Sequence, residues 1–327
     1  MGLIKKDRLI SAGDLFVDRE QPTHYFKRHL IEIKNAGIGD SGMLLLYSGS
    51  GGIGKTTLLK KFVSMIQAEA PNTKFVRYNF DGGNNAVDMV VALKKMRETL
   101  SKKYRIEFPL FDKGCICFAQ KIGDYNSAEH LKKVLRDSSV LYDFKKHLNS
   151  LSSGTDTAHT VAKAANELID SAIDVADELF DMSMITKVSK VFMNFLDMRI
   201  SRQEEEARAN GNSDYAIVFA ELNRYDNEDD PDYIRELLPA LFATDLSYWL
   251  NKHKTSLIIF LDAYEKLKSE EKQLENVRLI STGNDVARDW WIEELLTADH
   301  VMWVIAGRYK LDRIGAIELK KLGDRCA

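Results

Sequence analysis

The chain has 327 residues, 46 basic and 49 acidic side chains, a formal charge of −3 and an apolar fraction of 45%. That is an ordinary globular balance, long enough for one large domain or two smaller ones, and it makes no global electrostatic case for nucleic acid or an anionic membrane surface. Three cysteines are too few for a disulfide framework, and apolar runs such as Leu257–Leu261 are far too short to span a bilayer.

The amino-terminal segment MGLIKKDRLI has no apolar stretch of signal-peptide length. Lys6 stands where a myristoylation signal needs Ser or Thr, so a cytoplasmic location is expected. Residues 1–14 read as a polar lead-in. Asp14-Leu-Phe-Val-Asp-Arg-Glu20 follows, then a helical stretch through Tyr25, Phe26, His29, Leu30 and Ile33, and a loop at Gly37–Gly42. Met43–Tyr47 is a short apolar run of buried-strand length. Ser48–Gly54 is a glycine-rich turn, and Leu58, Leu59, Phe62, Val63 and Ile66 recur at helical spacing up to Pro71-Asn72. Gly49-Ser50-Gly51-Gly52-Ile53-Gly54-Lys55-Thr56 matches the P-loop pattern G-x-x-x-x-G-K-[ST] in the strand–loop–helix setting it requires.

The pattern follows from the chemistry of a polyphosphate. Backbone N–H groups must wrap the anion closely, which favours glycine at the contact. The helix N-terminus adds its dipole. Lys55 is placed to bridge the β- and γ-phosphates, and the Thr56 hydroxyl to ligate Mg²⁺. Ser50, Ile53 and Thr57 complete the expected cradle.

Lys74–Phe80 reads as a second strand, Asp81–Asn85 as a loop and Val87–Leu100 as a helix. From about Gln120 to Gly211 helical periodicity dominates, over Leu131–Leu148, His159–Leu179 and Ile185–Arg202. Ser201–Asn212 and Asn223–Asp232 are polar, and the second reads as a solvated acidic loop. Pro231 sits near the start of a helix running to about Trp249. Cys115-x-Cys117 has no second ligand pair nearby and reads as inert thiols; the histidines lack metal spacing. Trp249, Trp290 and Trp291 fall at helical core positions. Asn251-Lys-His-Lys254 lacks the carboxylate that would read guanine.

Ser256–Leu261 is an apolar strand ending in Asp262, the Walker B pattern. Placed next to the P-loop strand, Asp262 would hold Mg²⁺, and Glu265 would polarise the attacking water. Val301–Ala306 is another buried strand. Arg308 follows it, on the sheet edge where open α/β folds bind ligands, and is a candidate γ-phosphate sensor.

This motif set resembles the signal-transduction ATPases with numerous domains, the STAND class that includes the NACHT and NB-ARC proteins, and in particular its prokaryotic members. Leu15–Glu20 is similar to the class's opening F-V-G-R-E motif, with Asp18 in place of Gly. Gly49–Thr57 is similar to its P-loop, Leu257–Leu267 to its Walker B strand with a second acid, and Val304–Arg308 to its sensor strand. A final short strand is expected near Ile317–Leu319. The resemblance implies an α/β P-loop NTPase three-layer core with a mainly parallel sheet. Together with the helical periodicity of the middle stretch, which the class's motifs do not cover, it divides the chain into a lead-in (1–14), a first core half (15–119), a helical insertion (120–211) and a second core half (212–327). It implies ATP/ADP and Mg²⁺ as cofactors, with Val17 and Arg19 near the adenine or the adjoining helix. It further implies slow hydrolysis by Lys55, Glu265 and Arg308, and self-association or engagement of an effector or sensor on ATP binding. Class members continue into a lid, a winged helix and repeats, so a fragment or a short member is expected. Two alternatives remain open. One is a non-hydrolysing nucleotide-binding scaffold. The other is a P-loop kinase whose acceptor lid would use Lys132, Lys133, Arg136, Lys145 and Lys146.

Overall fold

The computed structural model describes residues 20–37, 42–50, 52–82, 86–123, 135, 140–151, 156–170, 182–211, 213–226, 230–267 and 290–307. The lead-in, Val17, Arg19, Gly51, Lys132, Lys133, Arg136, Arg308 and the strand expected at 317–319 lie outside them. The chain divides into two compact units, one from residues 1–92 and 253–327 and the other from residues 93–252.

The first unit is an α/β fold with four parallel strands: β1 (Met43–Ser48), β2 (Lys74–Asn79), β3 (Leu257–Asp262) and β4 (Val301–Gly307). Their order is β1-β4-β3-β2. This corrects one expectation. The strand ending in Asp262 is not beside the P-loop strand; β4 lies between them, paired with β1 from Met43↔Met302 to Ser48↔Gly307 and with β3 from Leu257↔Val301 to Leu261↔Ile305.

The sheet is buried on both faces, which explains why β3 and β4 read as continuous apolar runs rather than alternating ones. On one face α1 (Glu20–Ala36) and α2 (Lys55–Glu69) contribute Phe26, Leu30, Leu58, Leu59, Phe62 and Ile66. These pack with Leu45, Phe260 and Val304 of the sheet, and the Phe26 and Phe62 rings stack with centroids 4.1 Å apart. Each such burial contributes about 1.5–3 kcal/mol, which fixes α2, and hence its amino end, against the strands. The other face buries Leu44, Ile259, Leu261, Trp303 and Ile305. Near β2 Trp291, from the short helix Trp290–Leu295, meets Phe80 edge-on at 6.1 Å.

α3 (Met89–Tyr104) starts in the first unit and continues into the second. The second unit is helical: α4 (Pro109–Lys121), α5 (Leu141–Leu151), α6 (Asp156–Asp170), α7 (Met182–Ala209), α8 (Asp214–Asp226) and α9 (Pro231–Lys252). The sequence periodicity predicts no element over α4, which opens on Pro109 at its first turn. It packs so tightly on α9 that a Cβ on Gly114 would stand 2.4 Å from a Leu241 methyl. The polar stretch from Ser201 is helical as far as Ala209, where α7 ends. Arg202–Glu206 and Arg208–Glu204 pairs one turn apart line its outer face, while Gln203 and Ala207 are buried. The Lys252 ammonium beside Glu206 holds its carboxyl down at about 2. No described helix is long and apolar enough to cross a membrane.

A buried carboxyl ties three of these helices together. Asp245 of α9 is fully buried, and its Oδ2 accepts the Phe111 N–H at 2.9 Å, an otherwise orphaned donor of the first turn of α4. Its Oδ1 lies 3.3 Å from the Tyr215 hydroxyl, which is 2.6 Å from Gln203 Oε1. Burial pushes the Asp245 carboxyl well above the ordinary carboxylate range. A group raised on folding contributes stability below its unfolded pKa and loses it as pH rises through the folded value. Asp245→Asn keeps the shape and the acceptor without the charge. The parent is therefore expected to lose stability relative to Asp245→Asn as pH is raised above about 4. Asp245→Ala is expected to cost about 2–4 kcal/mol. Urea denaturation of the variants at pH 5 and pH 8 measures both; a parent-minus-Asn difference that does not change with pH contradicts the assignment.

Candidate functional site

The site sits at the carboxyl ends of β1, β3 and β4, the edge where parallel sheets present loops to ligands. β1 ends at Ser48, and Gly49 donates its N–H to the Gly307 carbonyl at 3.2 Å, which ties the loop to the end of β4. Gly52 and Gly54 have φ of 78° and 84°, left-handed values that favour glycine. Gly54 caps α2 in this conformation without a side-chain bond, so the first N–H groups of the helix have no capping side chain from that position. Gly49 matters for a different reason. A Cβ there would come within 2.4 Å of the Ile53 Cδ1, so the loop closes on itself. Ile53 itself is exposed, as is Ser50, while Thr57 is half-buried on α2.

Lys55 is buried and its chain curls back along the loop. Its Nζ donates to the carbonyls of Gly49 at 2.6 Å and Ser50 at 2.9 Å. Among the described residues this ammonium forms no ion pair. Its positive charge is held by neutral dipoles alone, an arrangement that suits an incoming anion.

Period-two alternation decides where Asp262 points. Phe260 and Ile258 share the α2 face of the sheet, so Asp262, two residues on from Phe260, faces α2 as well. Thr56, in the first turn of α2, donates its hydroxyl to Asp262 Oδ1 at 3.2 Å. The two halves of the motif thus meet across β4 rather than along a shared strand edge. Asp262 Oδ1 also accepts the Ala263 N–H at 2.9 Å. Ala263 has φ 58°, a strained value for a residue with a Cβ. That turn carries the chain back over β4, where Tyr264 donates to the Ala306 carbonyl at 3.1 Å. Glu265 follows, half-buried, with Oε2 beside the space that a Gly307 Cβ would take.

One residue of the site went unread in the sequence. Arg77 of β2 lies on the same face as Asp262, since Arg77 pairs with Phe260 and Asn79 with Asp262. Its Nη2 donates to Asp262 Oδ2 at 2.5 Å, and the Asp262 side chain is 3% exposed. The available signal was one arginine in the middle of a strand, between Val76 and Tyr78.

The donor set fits a magnesium nucleotide. A hydroxyl and a carboxylate, both hard oxygen donors, stand together at the amino end of α2, beside a glycine loop and a buried ammonium. Among the described residues no cluster of three or more His, Cys, Asp or Glu side chains could hold a metal by itself. Cys115 is no alternative: burial pushes its thiol up to about 12. A cavity of about 500 Å³ lined by Lys34, Asn72, Thr73 and Lys254 lies at the amino ends of β2 and β3, the opposite edge of the sheet, so neither it nor the Asn251–Lys254 segment belongs to the site. No protein-family model, curated protein or solved structure matches the chain.

Gly307 is the site's most rigidly enclosed glycine. A Cβ there would stand 2.9 Å from the Tyr264 Cβ and 3.3 Å from the Glu265 N, neither of which can swing aside. Gly307→Ala is expected to destabilise the first unit by about 1–3 kcal/mol and to displace Glu265. Gly49→Ala meets only the flexible end of Ile53 and is expected to cost less. Thermal unfolding of both variants decides the order; equal or reversed losses contradict this packing.

Proposed function

We propose that this chain binds ATP or ADP with Mg²⁺ on a P-loop NTPase core and hydrolyses ATP slowly as a regulatory switch, in the manner of the STAND-class ATPases it resembles. The observation that carries the reading is the pairing of a buried Lys55 ammonium in a glycine loop with a Thr56–Asp262 contact of 3.2 Å. A strand-end turn between two unrelated elements needs neither.

On this reading the loop N–H groups and the start of α2 bind the phosphate chain. Lys55 leaves the Gly49 and Ser50 carbonyls to take the β- and γ-phosphate oxygens. Thr56 and Asp262 would hold the cation, and bound Mg²⁺ would supply neutralisation of the charge developing on those oxygens. Glu265 orients the attacking water and accepts its proton. Arg308 follows Gly307 directly in sequence and is proposed as the γ-phosphate sensor, with Val17 and Arg19 near the base. Binding of ATP in place of ADP would then favour self-association or engagement of an effector or sensor protein.

The test separates binding from turnover. By titration with a fluorescent ADP, Lys55→Ala is expected to weaken affinity about tenfold to a hundredfold, the loss of charge-assisted hydrogen bonds. Glu265→Gln is expected to bind nucleotide like the parent while its phosphate release falls at least about a hundredfold. Undiminished turnover in Glu265→Gln removes the hydrolytic role, and unchanged affinity in Lys55→Ala removes the nucleotide site.

A further inference from the structure

Arg77 occupies a position that the nucleotide reading does not use. It stands on β2, the edge strand farthest from β1, and reaches diagonally across the sheet face to Asp262. The contact divides the carboxylate. Oδ2 takes the Arg77 guanidinium at 2.5 Å, while Oδ1 takes the Thr56 hydroxyl and the Ala263 N–H. The Asp262 side chain is 3% exposed and that of Arg77 26% exposed. A carboxylate so enclosed needs a countercharge, and Arg77 is the only cationic side chain within ion-pairing distance of it among the described residues.

We propose that Arg77 is a positioning residue and a resident countercharge that lowers the affinity of Asp262 for Mg²⁺, so that the metal is held only together with a nucleotide. The inference rests on the magnesium-nucleotide reading of the site. Two consequences follow from the geometry. The guanidinium fixes the carboxylate plane so that Oδ1 faces the first turn of α2, and a carboxylate has acceptor sites to spare for a cation or its water on that side. Its positive charge also opposes a divalent cation approaching the same carboxylate, and in this low-dielectric setting the opposition is stronger than in water. Without nucleotide, the Arg77–Asp262 pair is close to neutral and offers a bare cation little. Nucleotide phosphates add the negative charge that tips the balance. Arg77 thereby couples metal retention to nucleotide occupancy, and loss of the nucleotide leaves Asp262 with its arginine as sole countercharge among the described residues.

The measurement is the affinity of the full chain for a fluorescent ADP across a magnesium series, from chelator to millimolar Mg²⁺. Its readout is the Mg²⁺ concentration at half-maximal enhancement of binding. Arg77→Met and Arg77→Gln are expected to lower that midpoint about three- to tenfold, with affinity in chelator within about twofold of the parent. Arg77→Gln retains a donor toward Asp262 and removes only the charge, so it decides should the apolar variant fail to fold. Arg77→Lys keeps the charge and is expected to match the parent within about twofold. A midpoint that is unchanged or raised in folded Arg77→Gln, or lowered in Arg77→Lys, overturns the proposal while leaving the nucleotide site intact. A parent that binds no nucleotide at any Mg²⁺ concentration overturns the site reading and the Arg77 proposal together.

Discussion

The site depends on the direction of one side chain. Asp262 ends a strand whose alternate residues Ile258 and Phe260 are packed under α2, and the pleat leaves its carboxylate no choice but the same face. α2 is held there by Leu58, Leu59, Phe62 and Ile66, all fully buried, so Thr56 in its first turn arrives at Asp262 Oδ1. A one-residue slip of β3 against β4 would turn Asp262 to the opposite face and leave Thr56 without its partner. The continuous parallel register from Leu257↔Val301 to Leu261↔Ile305 excludes that slip. The apolar core and the polar site are therefore one construction: the residues that bury the sheet also aim the carboxylate.

One strained backbone position lies just beyond that point. Ala263 takes a left-handed φ of 58° immediately after Asp262, and Gly54 takes 84° immediately before α2. The first conformation costs about 1–2 kcal/mol for a residue with a Cβ, while glycine accepts the second at little cost. The Ala263 strain is offset by hydrogen bonds to Asp262 Oδ1 and, one residue later, to the Ala306 carbonyl. It turns the chain so that Glu265 lies over the end of β4 beside Gly307. Strain of this kind persists where surrounding contacts over-determine it, and it gathers at sites that must hold a geometry.

The strand–loop–helix unit around Gly49–Thr56 was legible because the sequence pattern fixes residue types at fixed offsets. β2, β3 and β4 were legible as apolar or β-branched runs, and Asp262 as the acid that ends one of them. The order of the strands was not. Nothing in a run such as Leu257–Leu261 or Val301–Ala306 says which lies beside Met43–Tyr47, because pairing is decided by the connections between strands rather than within them. Arg77 escaped for the same reason, since its meaning depends on the neighbour that β2 acquires. α4 was missed because Cys, Gly and aromatic residues blur its period, although Gly114 is what lets α4 approach α9. The outer face of α7 reads in the sequence only as a polar stretch, because its charges pair with one another along the helix rather than facing a core.

The central claim is that the Gly49–Thr57 loop and Asp262 form a working nucleotide site, and the most direct measurement is the nucleotide content of the purified protein. The chain would be denatured, the released small molecules separated and quantified against protein, and the preparation stripped of nucleotide then offered ATP with Mg²⁺. The account predicts adenine nucleotide bound in near-stoichiometric amount, or taken up to that level by the stripped protein. A parent that is empty as purified and still takes up no ATP with Mg²⁺ contradicts it.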